Sequence, residues 1–538
     1  MQAARPRWWQ TAVVYEIYPR SFADANGDGV GDLRGITARL DYLAWLGVDA
    51  IWIAPFYPSP MADFGYDVAD YTDVHPMFGT LDDFDALLAA AHARDLRVLV
   101  DFVPNHTSRE HQWFVESRSS RDNPRRNWYV WRDPAPGGGV PNNWISMFNG
   151  SSWELDPATG QYYLHTFLPE QPDLNWRHPE VRAAMFDNAR FWLDRGVDGF
   201  RIDVAQMVMK DPQLRDNPPN PSTDELERLG AWSRQLHVND IGHPDIHELY
   251  RAWRRMLDEY GERTGRERTS IGELHHPEFE RWARFYGEAQ DEIHVPFNFH
   301  LTYSPWTAAA VRRAVEGVEG VLPDGAWASW VLGNHDQPRF ATRAGREQAA
   351  VGMLLLMTLR GTPTVYYGEE IGMVDVPVPH EQARDPWEQR EPGKGRDPER
   401  TPMQWDASPN AGFTDPAATP WLPVAPDAQQ VNVAAQAEDP ASLLTLTRRL
   451  TSLRREHPAL SVGAFEAFGP TPDGIYAFRR VAPDAAVTVA LNLTDAPARL
   501  AGVRPGRVLI GTQQERDGAE VDVDLELAPN EALVVAEG

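Results

Sequence analysis

Three short stretches of the chain each carry a carboxylate after a run of residues typical of a buried strand. Cleaving an acetal between sugars needs a proton on the leaving oxygen and a carboxylate facing the developing oxocarbenium ion. A third carboxylate can hold the sugar hydroxyls. The candidates for these three catalytic tasks are Asp203 in residues 199–203 (Gly-Phe-Arg-Ile-Asp), Glu273 in residues 271–274 (Ile-Gly-Glu-Leu), and Asp336 in residues 333–337 (Gly-Asn-His-Asp-Gln).

The neighbours of these acids predict different protonation states. Arg201 precedes Asp203 by two residues, so both side chains lie on one face of the strand. The cation should keep Asp203 ionised, as a nucleophile must be. Glu273 has no arginine two residues before it, which suits a group that must be protonated at neutral pH.

The elements that position these acids alternate between strand-like and helical runs. Local signals predict the intervening helices. One example is a capping box at Thr80 and Asp83, followed by an apolar stripe. Eight alternations predict a (β/α)8 TIM barrel, whose catalytic groups gather at the carboxyl ends of the strands. The predicted strands are 13–18, 50–56, 97–103, 199–203, 269–274, 293–297, 327–332 and 364–367.

The alternation is interrupted by one long insertion, and a different pattern follows it at the C-terminus. Residues 107–175 are rich in Trp, Pro, Gly and Asn and are too long for an ordinary loop, so we expect an inserted small domain after strand 3. The barrel should then comprise residues 1–106 and 176–458. Short alternating strands in 459–538 predict a C-terminal antiparallel β domain.

Composition narrows the classes of partner. The chain has 538 residues, no cysteine and a formal net charge of −27. This charge repels phosphate backbones and anionic lipids, so neither nucleic acid nor membrane is expected as a partner. A neutral polar small molecule is the expected substrate. Residues 1–18 lack the apolar block of a signal peptide. We therefore expect a cytoplasmic protein, monomeric or weakly homo-oligomeric.

The three acid stretches, together with residues 101–106 (Asp-Phe-Val-Pro-Asn-His), resemble the signature regions of the α-amylase family of retaining glycoside hydrolases. Residues 171–175 (Gln-Pro-Asp-Leu-Asn) resemble the form found in the oligo-1,6-glucosidase subgroup of exo-acting α-glucosidases. The resemblance implies that Asp203 is the nucleophile, Glu273 the general acid/base and Asp336 the transition-state stabiliser.

The same resemblance implies a set of substrate-binding residues. Asp63 and Arg400 would grip the non-reducing end, and this charged plug would make the enzyme exo-acting. Tyr66 would stack on the sugar and Phe167 would border it. Hydrogen bonds to the sugar are implied for His106, Arg201 and His335.

Residues 24–32 space oxygen ligands at alternate positions, with a glycine at the sixth, as calcium loops do. Position twelve is Gly35, where an EF-hand has a bidentate glutamate. By resemblance to the subgroup, a structural Ca²⁺, or Mg²⁺ in the same loop, would bind through Asp24, Asn26, Asp28, the carbonyl of Val30, and Asp32. No organic cofactor is expected.

The leading hypothesis is a retaining exo-acting α-glucosidase for short α-glucosides of the maltose, isomaltose and sucrose type, with transglucosylation as a side activity. A glucosyltransferase or isomerase on the same scaffold, of the trehalose synthase or sucrose isomerase type, is an alternative. Trehalose-6-phosphate hydrolase and a non-catalytic amylase-like partner protein are weaker alternatives. Val204 after the nucleophile resembles α-1,6-acting members, yet residues 205–206 (Ala-Gln) depart from the usual Ile-Asn, so linkage preference stays open.

Overall fold

The computed structural model describes residues 6–221 and 227–538. The strands, in chain order, are β1 Val14–Ile17, β2 Ala50–Ile53, β3 Arg97–Phe102, β4 Trp131–Arg132, β5 Trp153–Asp156, β6 Gln161–Leu164, β7 Gly199–Ile202, β8 Thr269–Leu274, β9 Val295–Asn298, β10 Ser329–Val331, β11 Thr362–Tyr366, β12 Ala464–Ala467, β13 Ile475–Ala482, β14 Ala485–Asn492, β15 Ala498–Ala501, β16 Gly506–Gly511, β17 Glu520–Val521, β18 Asp524–Leu527 and β19 Ala532–Glu537.

Eight parallel strands close into a barrel, in the order β1, β2, β3, β7, β8, β9, β10, β11 and back to β1. The predicted (β/α)8 TIM barrel is therefore confirmed. Parallel pairing fixes where the acids emerge, because Phe102 pairs with Ile202 and Ile202 with Gly272. Asp203 and Glu273 consequently leave neighbouring strands at the same rim of the barrel.

The α-helices are α1 Trp8–Thr11, α2 Pro19–Phe22, α3 Leu33–Ala38, α4 Leu40–Leu46, α5 Leu81–His92, α6 Gln112–Ser119, α7 Pro179–Arg195, α8 Ile246–Thr264, α9 Phe279–Ala283, α10 His300–Tyr303, α11 Ala308–Val321, α12 Phe340–Ala344, α13 Ala349–Thr358, α14 Pro386–Arg390, α15 Val433–Glu438, α16 Leu443–Glu456 and α17 Pro458–Ser461. The capping box predicted at Thr80 and Asp83 begins α5. The helix α7 has Pro179 in its first turn and ends at Gly196, whose φ of 108° suits glycine.

The segment between β3 and β7 carries α6 and a three-stranded sheet in the order β4, β6, β5. It lies against the barrel through the end of β3, where His106 pairs with Asp173 in an isolated bridge. This arrangement places the segment over the carboxyl ends of the strands. The domain boundaries proposed above at 106/107, 175/176 and 458/459 stay predictions.

The C-terminal region is an antiparallel β domain, as predicted. Its six-stranded sheet has the order β12, β13, β14, β19, β16, β17, and β15 pairs with β18 beside it. Val487 and Val489, at alternating positions of β14, are fully buried. The sheet buries one face against the barrel helices, as the shared apolar cluster indicates.

No helix in residues 6–221 and 227–538 has the length and apolarity needed to cross a membrane. The most apolar helix, α13, has ten residues and is almost entirely buried within the protein. Residues 1–5, part of the start considered for a signal peptide, lie outside the described residues. Cytoplasmic location and a monomeric or weakly oligomeric state stay predictions.

Candidate active site

The floor of the site is built around one buried arginine. Arg201 Nη1 donates to Asp203 Oδ1 at 2.7 Å and to Asp101 Oδ1 at 3.0 Å. Its Nη2 lies 2.5 Å from Glu273 Oε2 in an ion pair. Trp52 packs against the guanidinium, with 4.8 Å from Cζ to the ring centroid. One cation thus holds carboxylates from the ends of three neighbouring strands.

The predicted difference in charge environment between Asp203 and Glu273 is wrong. Burial opposes ionisation of Glu273, but Arg201 and His275 together lower the pKa of Glu273 to about 2. Burial raises the pKa of Asp203 well above its usual value, with Arg201 opposing. The cation missing beside Glu273 in the sequence arrives from the adjacent strand, which sequence spacing cannot reveal. The two carboxyl groups are coupled and titrate as a pair.

The third acid, Asp336, lies beside two arginines and a histidine. Asp336 Oδ1 accepts from Arg400 Nη2 at 2.6 Å and from Arg396 Nη1 at 3.0 Å. Its Oδ2 lies 3.2 Å from His335 Nε2. Although burial opposes it, His335, Arg396 and Arg400 hold the pKa of Asp336 well below its usual range. Asp336 is therefore ionised at any working pH.

His335 is fixed from both sides of its ring. Its Nδ1 lies 2.6 Å from Glu16 Oε1 on β1, and its Nε2 lies 2.8 Å from the Tyr66 hydroxyl. The Tyr66 ring stacks on it, with centroids 5.4 Å apart. Burial lowers the pKa of His335 to about 3, which favours the neutral ring.

The charged plug predicted from Asp63 and Arg400 has a different composition. Asp63 Oδ1 accepts from Arg396 Nη2 at 2.8 Å, and Arg396 also bonds to Asp336 and Asp385. Arg400 bonds instead to Asp336 and to the carbonyl of His335. Arg396 is thus the partner of Asp63. Sequence reasoning missed Arg396 because its loop contains several arginines that could pair with Asp63. The position of Arg396, four residues before Arg400, was the available signal.

His106 and Phe167 border the same side of the cavity. Their ring centroids are 5.1 Å apart, and His106 Nε2 lies 3.1 Å from Gln171 Nε2. Gln171 also donates to Asp63 Oδ2 at 3.1 Å. Burial lowers the pKa of His106 to about 4, so a neutral imidazole faces the cavity.

Val204 directly follows Asp203 in a left-handed backbone conformation, with φ 36° and ψ 48°. A β-branched residue there is strained, and such strain persists only where the surroundings enforce it. The result is that the Val204 N–H donates to Glu273 Oε2 at 2.9 Å. The turn after β7 therefore helps to orient the acid on β8.

His275 contacts Glu273 directly. Its Nε2 lies 2.9 Å from Glu273 Oε1, and its Nδ1 lies 2.6 Å from the Tyr303 hydroxyl. The imidazole stacks on Phe299 with centroids 4.4 Å apart. The position of His275 two residues after Glu273, directly past the end of β8, was the available signal for this contact.

Lys210, one of the two lysines in the chain, is buried beneath the inserted segment. Its Nζ lies 2.6 Å from Asp173 Oδ2 and 2.5 Å from Asn105 Oδ1. Asn105 follows β3, and Asp173 lies near the end of the inserted segment. The lysine therefore ties the inserted segment to the barrel rim beside His106.

The predicted metal loop is organised by its own backbone. Asp24 accepts from the amides of Asn26, Gly27 and Gly29, while Asn26 accepts from Asp28 and Asp28 from Val30. Asp32 caps α3 by accepting from Gly35. The donor set is the hard oxygen type that Ca²⁺ prefers. Within the described residues, no three His, Cys, Asp or Glu side chains converge as metal ligands. The calcium assignment stays a prediction.

The predicted site residues gather in one place. A single cavity is lined by Asp63, Tyr66, His106, Phe167, Asp203, Val204, Glu273 and Asp336, with Arg396 among them. Arg201, His335 and Arg400 are buried beneath this lining, at 1%, 0% and 1% exposure, and act on it through the acids. Their individual roles stay predictions.

Comparison with known proteins identifies relatives along nearly the whole chain. Residues 16–463 match the model of the α-amylase catalytic domain. A probable α-glucosidase of Rhizobium meliloti is 44% identical, over 91% of this chain and 90% of its own length. An oligo-1,6-glucosidase of Parageobacillus thermoglucosidasius is 40% identical, over 91% of each chain. The crystal structure of the α-glucosyl transfer enzyme XgtA superposes with a TM-score of 0.92 at 40% identity, covering 99% of this chain and all of that one.

Proposed function

The chain belongs to the α-amylase family and is a glycoside hydrolase, and from this premise we propose that it is a retaining, exo-acting α-glucosidase acting on short α-glucosides. The observation that carries the proposal is the Asp63–Arg396–Asp336 plug at one end of the cavity. We infer that these paired charges exclude a longer glucan beyond the terminal sugar. Only a non-reducing terminal glucose then fits beside the three acids.

The reaction follows from the positions of the acids. Asp203 attacks C1 of the terminal glucose while Glu273 protonates the glycosidic oxygen, so the C1–O bond breaks and the aglycone leaves as an alcohol. A β-glucosyl ester on Asp203 results. Water then attacks C1, giving its proton to Glu273 and releasing Asp203 as a carboxylate. Glucose leaves with its α configuration.

Arg201 supports the retaining course over the inverting one. Because one guanidinium contacts both Asp203 and Glu273, the two carboxyl groups cannot lie far apart. Retaining enzymes need a separation of about 5 to 5.5 Å, with no room for a water between nucleophile and sugar. Burial and the mutual repulsion of the two carboxyl groups favour one retained proton on the pair, against the effect of Arg201, and this proton must reside on Glu273 when substrate is bound.

Glucosyl transfer is a second candidate activity, favoured by the similarity to the α-glucosyl transfer enzyme XgtA. A hydroxyl of an acceptor can replace water in the second step when the aglycone side of the cavity holds it. Isomerisation of sucrose is the intramolecular version of this transfer. The same catalytic groups can perform hydrolysis and transfer, so we propose hydrolysis as the main activity and transfer as a side activity.

Initial rates on maltose, isomaltose, sucrose, trehalose and kojibiose test the proposal, with proton NMR of the first glucose released. We expect α-glucose to appear first and mutarotate later, and terminal glucose to be the first product from maltotriose. Initial release of β-glucose would overturn retention. Conversion of sucrose mainly to an isomeric disaccharide would favour the isomerase alternative.

A further inference from the structure

Glu16 on β1 is a buried acid with no part in the reaction steps of the three catalytic acids. Its side chain is fully buried, and its Oε1 lies 2.6 Å from His335 Nδ1. Within the part of the chain that the structure describes, Glu16 Oε2 has no hydrogen-bond partner, and no arginine or lysine forms an ion pair with this carboxyl group. Burial raises the pKa of Glu16 well above its usual value, although Arg201 opposes this. The hydrogen that joins Glu16 to His335 therefore decides the charge of both groups.

The hydroxyl of Tyr66 joins His335 to Asp101. Tyr66 has a single hydroxyl hydrogen, which it donates to Asp101 Oδ2 at 3.1 Å. Asp101 Oδ2 also accepts from Trp52 Nε1 and from Arg201 Nη1, each at 3.1 Å, so this oxygen acts as an acceptor. The Tyr66 oxygen lies 2.8 Å from His335 Nε2 and must therefore accept a hydrogen from the imidazole.

Asp336 makes the same demand on the imidazole. Its Oδ2 lies 3.2 Å from His335 Nε2. This carboxylate is ionised, because Arg396 and Arg400 both donate to its Oδ1. A lone pair on Nε2 would face that negative charge, whereas a hydrogen on Nε2 is attracted to it. Tyr66 and Asp336 thus both place a hydrogen of the imidazole on Nε2.

The surroundings of His335 favour a neutral ring. The side chain is fully buried, and the rings of Tyr18 and Tyr66 stack on it with centroids 5.6 and 5.4 Å away. Burial lowers the pKa of His335 to about 3, with Arg400 acting in the same direction and Asp336 opposing. A neutral imidazole has one N–H, and because this hydrogen is on Nε2, Nδ1 is left as an acceptor. The group that lies 2.6 Å from Nδ1 must therefore be a donor.

We propose that Glu16 is a positioning residue, which retains its proton and donates a hydrogen bond to His335 Nδ1. This bond fixes the tautomer of His335 whose Nε2–H faces Tyr66 and Asp336. Asp336 in turn keeps the orientation that it needs beside the developing oxocarbenium ion. The kinetic test of this inference rests on the proposed α-glucosidase function, whereas the position of the proton is measured without any substrate.

Neutron diffraction from deuterated crystals of the enzyme without substrate locates this proton. We expect deuterium on Glu16 Oε1 and on His335 Nε2, and none on His335 Nδ1. Deuterium on both ring nitrogens, with a bare Glu16 carboxylate, overturns the inference. Deuterium on Nδ1 alone also overturns it, because Nε2 would then be an acceptor.

Two substitutions separate a hydrogen-bond donor from a negative charge at this position. Glu16→Gln keeps a donor to His335 Nδ1, so kcat/KM on maltose should stay within about threefold of the parent value. Glu16→Met has a similar volume and no donor, so misorientation of Asp336 should lower kcat by about 10²-fold with little change in KM. An equal loss of kcat in both variants overturns the donor role of Glu16.

Glu370→Met is the matched control for the loss of a buried carboxyl group. Glu370 is fully buried, accepts from the Tyr15 hydroxyl at 2.7 Å, and does not line the cavity. Once corrected for the folded fraction by circular dichroism, its kcat on maltose should equal that of the parent enzyme.

A double substitution tests whether Glu16 acts through His335. In a His335→Ala background, Glu16→Met should lower kcat no further, because the ring that Glu16 positions is gone. A further loss of the full size overturns this route. No turnover of any α-glucoside by the parent enzyme overturns the α-glucosidase proposal, and the neutron result then decides the inference about Glu16 by itself.

Discussion

The charged floor of the cavity and its apolar wall, formed by Trp232, Leu236, Val238 and Ile241, are built in opposite ways. The floor consists of ionised side chains at the ends of barrel strands, such as Arg201 on β7 and Glu273 on β8, joined by short ion pairs. The wall consists of apolar side chains from one long loop, two of them exposed. Strand ends are held by the whole barrel, so they suit chemistry that needs fixed geometry, whereas loops can change to suit different aglycones.

The largest effect should come from the floor. Asp203→Asn removes the nucleophile, so we expect kcat on maltose to fall by about 10⁴- to 10⁶-fold, the range seen when a catalytic nucleophile or its partner is removed. Steady-state kinetics and circular dichroism check the loss and the retained fold. Asp187→Asn, exposed on α7, is the matched control. A variant at Asp203 with more than a tenth of the activity contradicts the mechanism.

The junction between the inserted segment and the floor should show the next largest effect, on stability. Lys210→Met leaves Asp173 buried without its cation, and we expect the free energy of unfolding to fall by about 3 to 5 kcal/mol. Urea unfolding measures it, with Lys394→Met, the other lysine, as the control.

The pH dependence of that loss has a definite sign. Burial opposes ionisation of Asp173, but Lys210 lowers its pKa below the usual value. The stability that the Lys210–Asp173 ion pair adds to the folded protein is therefore complete above about pH 4 and is lost as the pH falls. The difference between Lys210→Met and the parent protein should shrink in acid. A difference that is constant from pH 7 to pH 3 contradicts this account.

The plug should affect binding of the terminal sugar. Arg396→Met removes the donor to Asp63 and one donor to Asp336, so we expect kcat/KM on maltose to fall by about 10²- to 10³-fold. Arg384→Met, exposed in the same loop, is the control. If Arg400→Met impairs maltose turnover severely while Arg396→Met does not, the plug is assigned to the wrong arginine.

The smallest effect should come from His275, which orients Glu273. His275→Asn removes one of the groups that lower the pKa of Glu273, so this pKa should rise. The general acid must be protonated, so the alkaline limb of kcat/KM should move to higher pH. Lost orientation should lower kcat/KM by about tenfold. His380→Asn is the control, because His380 is exposed and lies in the loop after β11 that also carries Arg396.

A role for His275 in packing alone predicts a different result. Packing loss lowers the amount of folded enzyme or its stability and leaves the alkaline limb where it was. An unmoved limb in His275→Asn, at full protein stability, therefore contradicts the orienting role.

Much of the fold could be predicted because its signals are local. The capping box at Thr80, the Pro179 start and Gly196 end of α7, and eight apolar runs are each readable within a few residues. Their alternation permits few architectures, so the barrel and the C-terminal β domain followed. Strand ends shifted by a residue or two, as at β9 and β11, because pairing with neighbours sets where each strand ends.

The site was predictable only in part. Of the eight predicted residues that line the cavity, five lie at a strand end or in a signature stretch, namely His106, Asp203, Val204, Glu273 and Asp336. The other three, Asp63, Tyr66 and Phe167, came from the family resemblance. Arg396 was not predicted, because its loop has no periodicity and its partners Asp336 and Asp63 are 60 and 333 residues away in the sequence. The wall residues were also missed, since an isolated Leu or Val in a loop carries no pattern.

The sequence by itself determined which acids stand at the rim, because parallel strands of known direction deliver their following residues to one end of a barrel. The tertiary structure alone decided their electrostatics. Arg201, expected to serve Asp203, also contacts Glu273, and burial in a shared low-dielectric floor couples the two acids. Charge interactions depend on distance in space, and only the closed barrel sets those distances.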